Sequence, residues 1–259
     1  MKKSQFIVSL LLLIASTQTF AQDTAIVDSK SDSNTAHIEQ KSIHITGRSF
    51  ILPAIMFGYG VSAIKIQALK DLNNSIKEEM VWENPHPKQH ADNFCQFTPA
   101  ILTVALSGFG VKAEHKPLEQ VVLFGLTNVV LNTTVTSIKR ISHQQRPDSS
   151  SYESFPSGHT AEGFAGAEMM RLEFQHQNPL LAYSGYLFAA ATGYLRIYNN
   201  KHWFSDVVAG AGVGIASTRF TYWVYPKLKK WVFKKSSSKN IILPTYKNGA
   251  VGLCFQSKF

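Results

Sequence analysis

The sequence contains only two cysteines, and only 17% of its 259 residues are charged. Beyond Phe50 it has no sustained Val/Ile/Thr alternation of the kind that forms sheets. Because 44% of the residues are apolar, disorder is excluded for most of the length. The chain is long enough for one well-buried domain, with little left for a second.

The first residues have the order of a secretory signal peptide. Lys2 and Lys3 precede an apolar stretch that leads to small residues ending at Ala21, which predicts export with cleavage after Ala21. A signal anchor that stays attached is the alternative. The polar residues that follow predict a flexible lead-in. The predicted segments are a signal peptide over 1–21, the lead-in over 22–48, a helical domain over 49–233, and a Lys/Ser-rich linker with a tail hairpin over 234–259.

Six apolar-rich segments are separated by clusters of Pro, Gly, Asn and His, and they have the length and composition of helices. They predict an all-α fold, a bundle of about six helices. In the tail, Asn248-Gly249 between two apolar runs predicts a small β-hairpin. The chain has an even number of cysteines, Cys95 and Cys254, and is predicted to be exported. A disulfide between the two is therefore possible, and the sequence does not decide whether it forms. The predicted helices are 50–69, 97–111, 118–139, 159–175, 180–197 and 203–225.

Polar residues within these segments argue against membrane spans. The segment from Leu118 carries Glu119, Gln120 and Asn128, and a spanning helix needs about 20 mostly apolar residues. We therefore expect a bundle that contacts a membrane from its outer side without crossing it. The stretch 221–235 mixes Trp and Tyr with five lysines, and a membrane interface and a solvated helix end explain it equally well.

Three polar clusters lie where predicted helices end or begin. They are KRISHQQRP from Lys139, FPSGH from Phe155 and RIYNNKHWFSD from Arg196. In an up-and-down bundle these three positions lie at the same end, so we expect the clusters to meet. Their candidate functional residues are Lys139, Arg146, Ser157, Gly158, His159, Arg196, His202 and Asp206.

The residue types in these clusters suit a tetrahedral oxyanion. One lysine and two arginines supply three cations, while Ser157 and Gly158 at a helix N-terminus add N–H donors and a positive dipole. Glycine also lets the backbone approach a phosphate closely. His202 and Asp206 are four residues apart, so the carboxylate can orient the imidazole, and His159 would face it across the anion. Two histidines placed in this way can act as nucleophile and acid.

Residues 139–147, 156–159 and 196–206 resemble the three signature motifs of the type 2 phosphatidic acid phosphatase (PAP2) superfamily. That superfamily includes class A acid phosphatases, lipid phosphatases and vanadium haloperoxidases. The surrounding sequence is most similar to exported or membrane-linked phosphatases of the Bacteroidetes, including relatives of lipid A phosphatases. The resemblance implies a phosphohistidine at His202 and a metal-free site. It implies that Asp206 orients His202, that His159 protonates the leaving alcohol, and that Lys139, Arg146, Ser157, Gly158 and Arg196 hold the phosphoryl oxygens.

We therefore predict a periplasmic, metal-independent phosphatase that hydrolyses a phosphate monoester, with a lipid phosphate such as lipid A, phosphatidate or polyprenyl diphosphate as substrate. The alternatives are a soluble acid phosphatase of broad specificity, a vanadate-dependent haloperoxidase and an inactive module that docks to anionic lipid. The net charge of +9 suits a phosphorylated substrate and an anionic membrane surface. We expect no cofactor and no nucleic-acid partner, and the sequence carries no signal of an oligomeric state. His86, His90 and Asp92 lack the further ligands of a metal site.

Overall fold

The computed structural model describes residues 43–234, 240–247 and 250–257, with side chains up to Trp231. Eight α-helices lie in this part of the chain, so the predicted all-α bundle is confirmed. A 3-10 turn, Gly47–Phe50, precedes the first helix, and a π-helical turn, Glu78–Trp82, follows the second. The helices are α1 (Ile51–Ala63), α2 (Gln67–Lys77), α3 (Asp92–Cys95), α4 (Thr98–Gly108), α5 (Pro117–Ser142), α6 (Gly158–Phe174), α7 (Pro179–Tyr198) and α8 (Phe204–Lys234).

Helix α6 is the centre of the bundle, and α4, α5, α7 and α8 all contact it. Small residues permit this, since Ala161 and Ala165 are fully buried between neighbouring helices. A Cβ at Gly210 of α8 would lie 2.5 Å from the carbonyl oxygen of Ser157. Only glycine therefore lets α8 pass this close to the N-terminus of α6, where the predicted site lies.

The first predicted helix, 50–69, is broken, and that prediction is wrong in its extent. Helix α1 ends at Ala63, and α2 begins at Gln67 after a bend of 90°. The bend brings α2 to the start of α8, where the Asn73 amide donates to Ser205 Oγ at 2.9 Å and accepts from the Ser205 N–H at 3.1 Å. These two buried hydrogen bonds fix α2 beside the site.

Helix α5 has the length and composition of a membrane span, although its polar residues argue against one. It has 26 residues and is apolar enough to cross a membrane by length and composition, and only 22% of its most apolar window is buried in the bundle. Its polar side chains bond back to their own helix: Asn128 Nδ2 donates to the Phe124 carbonyl at 3.2 Å and Thr133 Oγ1 to the Val129 carbonyl at 2.7 Å. Groups satisfied in this way need no water, so they make the helix less polar than its composition indicates.

Packing begins before the predicted domain boundary at residue 49. Ile43 and Ile45 pack against a core cluster that includes Leu123 and Met169. The last six residues of the predicted lead-in therefore belong with the bundle. The signal peptide and the rest of the lead-in lie outside the described residues.

At the other end, strands β1 (Asn240–Lys247) and β2 (Ala250–Ser257) pair antiparallel. The Asn248-Gly249 turn, the linker residues after Lys234 and the Cys254 side chain lie outside the described residues. The described residues therefore do not test the disulfide between Cys254 and Cys95 that the sequence leaves open.

Candidate active site

The eight predicted site residues lie together at one end of the bundle. Burial and the charges of Arg146 and Arg196 lower the pKa of Lys139 at the end of α5. The Ser157 N–H, just before α6, donates to the Asp206 carbonyl at the start of α8 at 3.0 Å. The three helix junctions therefore meet as the bundle topology predicts. The remaining members of the group are Gly158, His159 and His202.

His202 is 2% exposed and lies in the connection between α7 and α8. Its Nδ1 lies 2.7 Å from the carbonyl oxygen of Ser154. Because a carbonyl can only accept, Nδ1 carries the proton and Nε2 carries the lone pair. Burial, followed by the positive charges of Arg196 and Lys139, lowers the pKa of His202 to about 4. The imidazole is therefore neutral at neutral pH, with an available nucleophilic nitrogen.

Asp206 lies close to this imidazole and also hydrogen-bonds Ser154. Its Oδ2 is 3.8 Å from His202 Nδ1, beyond hydrogen-bond distance, and instead accepts from Ser154 Oγ at 2.5 Å and from the Trp203 N–H at 2.9 Å. The Nδ1 hydrogen bond inferred from four-residue spacing goes to the Ser154 carbonyl instead, and the nearby Asp206 carboxylate acts on His202 by raising its pKa, against the larger effect of burial. Sequence reasoning missed Ser154, since a backbone carbonyl acceptor has no residue-type signature.

Two arginines present unsatisfied donors at the site. The Nε atoms of Arg146 and Arg196 are buried without a hydrogen-bond partner in the described part of the chain. A buried polar group without a partner is costly, so these atoms indicate where an oxyanion would be held. Lys139 Nζ donates to the Glu153 carbonyl at 3.0 Å, and its ammonium group has three donors in all. The arrangement therefore suits a phosphoryl group, which offers several acceptor oxygens.

The start of α6 supplies backbone donors, though not all of those predicted. The Ser157 N–H is already bonded to the Asp206 carbonyl, and Ser157 Oγ pairs with Thr160 Oγ1 at 2.9 Å. Gly158 and His159 are in the first turn, where N–H groups have no helical acceptor. A Cβ on Gly158 would meet only Val135, at 3.8 Å. The protein's own packing does not require this glycine, so the space above it remains for a ligand.

His159 lies on α6, near the same two cations, Arg196 and Lys139, that act on His202. Burial and the charge of Arg196 lower its pKa to about 4, which an opposing effect of Asp92 offsets only in part. Its Nε2 lies 3.0 Å from Asn93 Oδ1. In the absence of an anion this imidazole is neutral, and a bound phosphate would raise its pKa by adding negative charge nearby.

Helix α3 is a part of the site that the sequence does not predict. Asp92 is 1% exposed, and its Oδ2 accepts from Arg196 Nη1 at 2.5 Å. Its neighbour Asn93 bonds His159, so this one turn of helix contacts both an arginine and a histidine of the site. The Asp92 carboxylate occupies a position on Arg196 that a phosphoryl oxygen could take.

The other residues of that segment do not assemble a metal centre. The His86 ring stacks on Tyr198 with centroids 3.4 Å apart, and its Nε2 bonds the Tyr198 carbonyl at 2.8 Å. Within the described residues, no group of three or more His, Cys, Asp or Glu side chains could hold a metal ion.

A groove of about 430 Å³ leads away from the site between α5 and α6. Lys139, Gly158 and His159 form one end of it, and Asn128, Asn132 and Glu162 lie further along. Its volume is that of a small-molecule binding site.

The fold and the site together define a helical protein in which Lys139, two arginines and two histidines meet at one end of the bundle. The model of the PAP2 superfamily matches residues 120–230. The matched range is less than half of the chain, and it contains all eight predicted site residues. The helix α3 segment lies outside it.

One curated relative is the lipid A 1-phosphatase of Porphyromonas gingivalis, which is 36% identical over 134 residues. The match covers 51% of this chain and 30% of the relative, so the chain spans less than a third of that protein's length.

Two solved structures are similar. The Aquifex aeolicus LpxE structure is 24% identical, with 58% of this chain and 94% of that chain covered and a TM-score of 0.44. The first transmembrane PAP2 type phosphatidylglycerolphosphate phosphatase from Bacillus subtilis is 20% identical, with 70% and 98% covered and a TM-score of 0.46.

Proposed function

We propose that this protein is a phosphatase that hydrolyses a lipid phosphate through a phosphohistidine intermediate, without a metal. The observation that carries the proposal is the state of His202. Its Nδ1 proton is held by the Ser154 carbonyl, so Nε2 is unprotonated, and the cations Arg196 and Lys139 lie near it. A neutral nucleophile beside unsatisfied arginine donors is suited to attack on a bound phosphoryl group.

In the proposed reaction, His202 Nε2 forms a bond to phosphorus while the bond from phosphorus to the ester oxygen breaks. His159 donates a proton to that oxygen, and the alcohol leaves. Water then attacks the phosphohistidine, His159 takes a proton from the water, and inorganic phosphate is released. Lys139, Arg146 and Arg196 stabilise the charge on the phosphoryl oxygens as it develops.

The lipid part of the proposal has separate support. The P. gingivalis relative is a lipid A 1-phosphatase, and the outer face of α5 is largely apolar and unburied. Trp223 and Trp231 are 46% and 71% exposed on α8, with Lys227 Nζ 3.9 Å above the Trp223 ring. Exposed Trp beside Lys is typical of a membrane interface. We therefore place the protein at a membrane, and the N-terminal signal pattern supports export to the periplasm.

The test is phosphate release by the full chain, in detergent micelles with chelator, from lipid A, phosphatidate, undecaprenyl diphosphate and p-nitrophenyl phosphate. We expect a lipid to be preferred and a phosphoenzyme to be trapped by rapid quenching at alkaline pH, where phosphohistidine is stable. His202→Ala should abolish both signals, with Arg140→Ala as a surface control.

Three outcomes would change the proposal. Cleavage of p-nitrophenyl phosphate alone would indicate a soluble acid phosphatase of broad specificity. Full activity of His202→Ala would contradict the assigned nucleophile. Absence of any phosphate release would contradict the phosphatase function.

A further inference from the structure

One buried carboxyl group in the groove has no part in the proposed chemistry. Glu162 lies one turn after Gly158 on α6 and is 5% exposed. Its Oε1 is buried without a hydrogen-bond partner in the described residues, although it lines the groove. Buried polar atoms are nearly always hydrogen-bonded, so an orphaned oxygen on a groove wall points to a missing ligand atom.

The protonation state of Glu162 bears on which ligand atom this is. Burial raises the pKa of Glu162, and a hydrogen bond from the Asn128 side chain, which leaves Oε1 unpaired, offsets this only in part. The carboxyl group therefore favours its neutral form more than an exposed glutamate does. A neutral carboxyl can both donate and accept, whereas a carboxylate can only accept.

Asn128 and Asn132 form the opposite wall of the groove. They lie four residues apart on α5, so they share the helix face that carries Lys139. Among the residues that the structure describes, Asn132 Nδ2 bonds within its own helix, to the Asn128 carbonyl at 2.9 Å and Asn128 Oδ1 at 3.3 Å. Elsewhere α5 exposes apolar side chains such as Val122 and Val129. Two amides that face a groove on an apolar helix indicate a polar ligand there.

The spacing places this polar patch next to the phosphate position. Helix rise is about 1.5 Å per residue, so Asn132 lies roughly 10 Å along α5 from Lys139. Glu162 lies about 6 Å along α6 from Gly158 by the same measure. These distances match the first ring or chain atoms of a leaving group, and they are too short for the far end of a lipid.

We infer that Glu162, Asn128 and Asn132 form a specificity subsite that binds hydroxyl or amide groups on the leaving group beside the phosphate. This inference rests on the proposed phosphatase function. It narrows the substrate to a phosphorylated sugar-like headgroup carried by a lipid, and it disfavours a phosphate attached directly to a hydrocarbon chain. A substrate hydroxyl would donate to the Oε1 atom that now lacks a partner, and the asparagine amides would bond the neighbouring groups.

The test compares two lipids that differ in the group next to phosphate. Lipid A has hydroxyl and amide groups there, whereas hexadecyl phosphate has only a hydrocarbon chain. In micelles, Glu162→Ala should lower kcat/KM for lipid A about tenfold, the usual effect of one lost hydrogen bond to a buried group. It should change kcat/KM for hexadecyl phosphate by less than about twofold.

Two further variants keep the inference falsifiable if Glu162→Ala folds poorly. Glu162→Gln keeps a donor and an acceptor, and it should retain lipid A cleavage within about threefold. Asn132 is exposed, so Asn132→Ala should fold normally and still lower lipid A cleavage selectively. Unchanged lipid A cleavage in both alanine variants, or an equal loss on both lipids, would overturn the subsite. A preference of the wild-type protein for hexadecyl phosphate would also overturn the subsite. If the wild-type protein cleaves neither lipid and does not cleave p-nitrophenyl phosphate, the result contradicts the proposed phosphatase function itself.

Discussion

The buried His202 should make the protein less stable in mild acid, and His202→Asn should remove that sensitivity. The pKa of His202 is about 4 in the folded protein, against 6.5 in an unfolded chain. Between these values the unfolded chain binds a proton that the folded protein does not. Protonation therefore favours unfolding, and stability falls as the pH drops from about 6.5 towards 4.

The magnitude follows from the two pKa values. At pH 8 both states are unprotonated and His202 contributes almost nothing to the pH dependence. At pH 5 the unfolded histidine is nearly all protonated and the folded one is mostly neutral, which destabilises the fold by about 2 kcal/mol. His202→Asn keeps a side-chain N–H for the Ser154 carbonyl and cannot titrate. The free energy of unfolding of the variant minus that of the wild type should therefore be about 2 kcal/mol larger at pH 5 than at pH 8.

The assay is urea unfolding in detergent micelles at pH 8, 7, 6 and 5, followed by tryptophan fluorescence. His115 provides a control of opposite sign, because its bond to Glu173 (2.8 Å) raises its pKa in the folded state. His115 contributes to folding stability below about pH 6.5, and this contribution is lost as the pH rises through its folded pKa. His115→Asn should therefore be less stable than the wild type in acid. A difference between His202→Asn and wild type that stays constant with pH would refute the claim that burial keeps His202 neutral.

Three further predictions concern the candidate site. Asp92→Asn should bind inorganic phosphate several-fold more tightly, because a carboxylate no longer competes for Arg196. Inhibition constants for phosphate measure this affinity, and weaker binding would mean that Asp92 positions Arg196. His159→Asn should flatten the loss of phosphate affinity with rising pH, because anion binding in the wild type is coupled to protonation of His159; an unchanged slope would contradict that coupling. Ser154→Ala should lower kcat about tenfold at unchanged KM, because Asp206 then no longer hydrogen-bonds the residue whose carbonyl holds His202 Nδ1. A kcat equal to that of the wild type would show that the Ser154 carbonyl alone positions His202.

The sequence predicts that the candidate site residues meet because they follow a simple topological rule. Lys139 ends one helix, Gly158 begins the next, and Arg196 ends a third. Alternate ends of an up-and-down bundle meet, so residue type and helix boundaries are enough to bring the motifs together. The same reasoning fails for Asp92, because α3 is only four residues long and no periodicity marks so short a helix.

The membrane interpretation of α5 shows a different limit of sequence reasoning. Composition counts Asn128 and Thr133 as polar wherever they occur. In the structure each donates a hydrogen bond to a carbonyl one turn earlier in α5, so part of their polarity is satisfied within the helix. The cost of placing α5 in an apolar environment depends on this local bonding, which residue counts do not contain.

The charges of the site also explain why its two histidines are suited to the proposed reaction. In the proposed site three cations bind the anion, and burial, together with the charges of Arg196 and Lys139, lowers the pKa of both imidazoles to about 4. The same field thus attracts the phosphate and keeps the His202 lone pair available. A bound phosphate reverses the field near His159, which faces the groove, and raises its pKa, so His159 gains its proton when a leaving group is present to receive it. His202 is fixed by the Ser154 carbonyl, an acceptor whose capacity does not change when the anion binds. One set of cations can therefore support a neutral nucleophile and a protonated acid on opposite sides of one phosphorus atom.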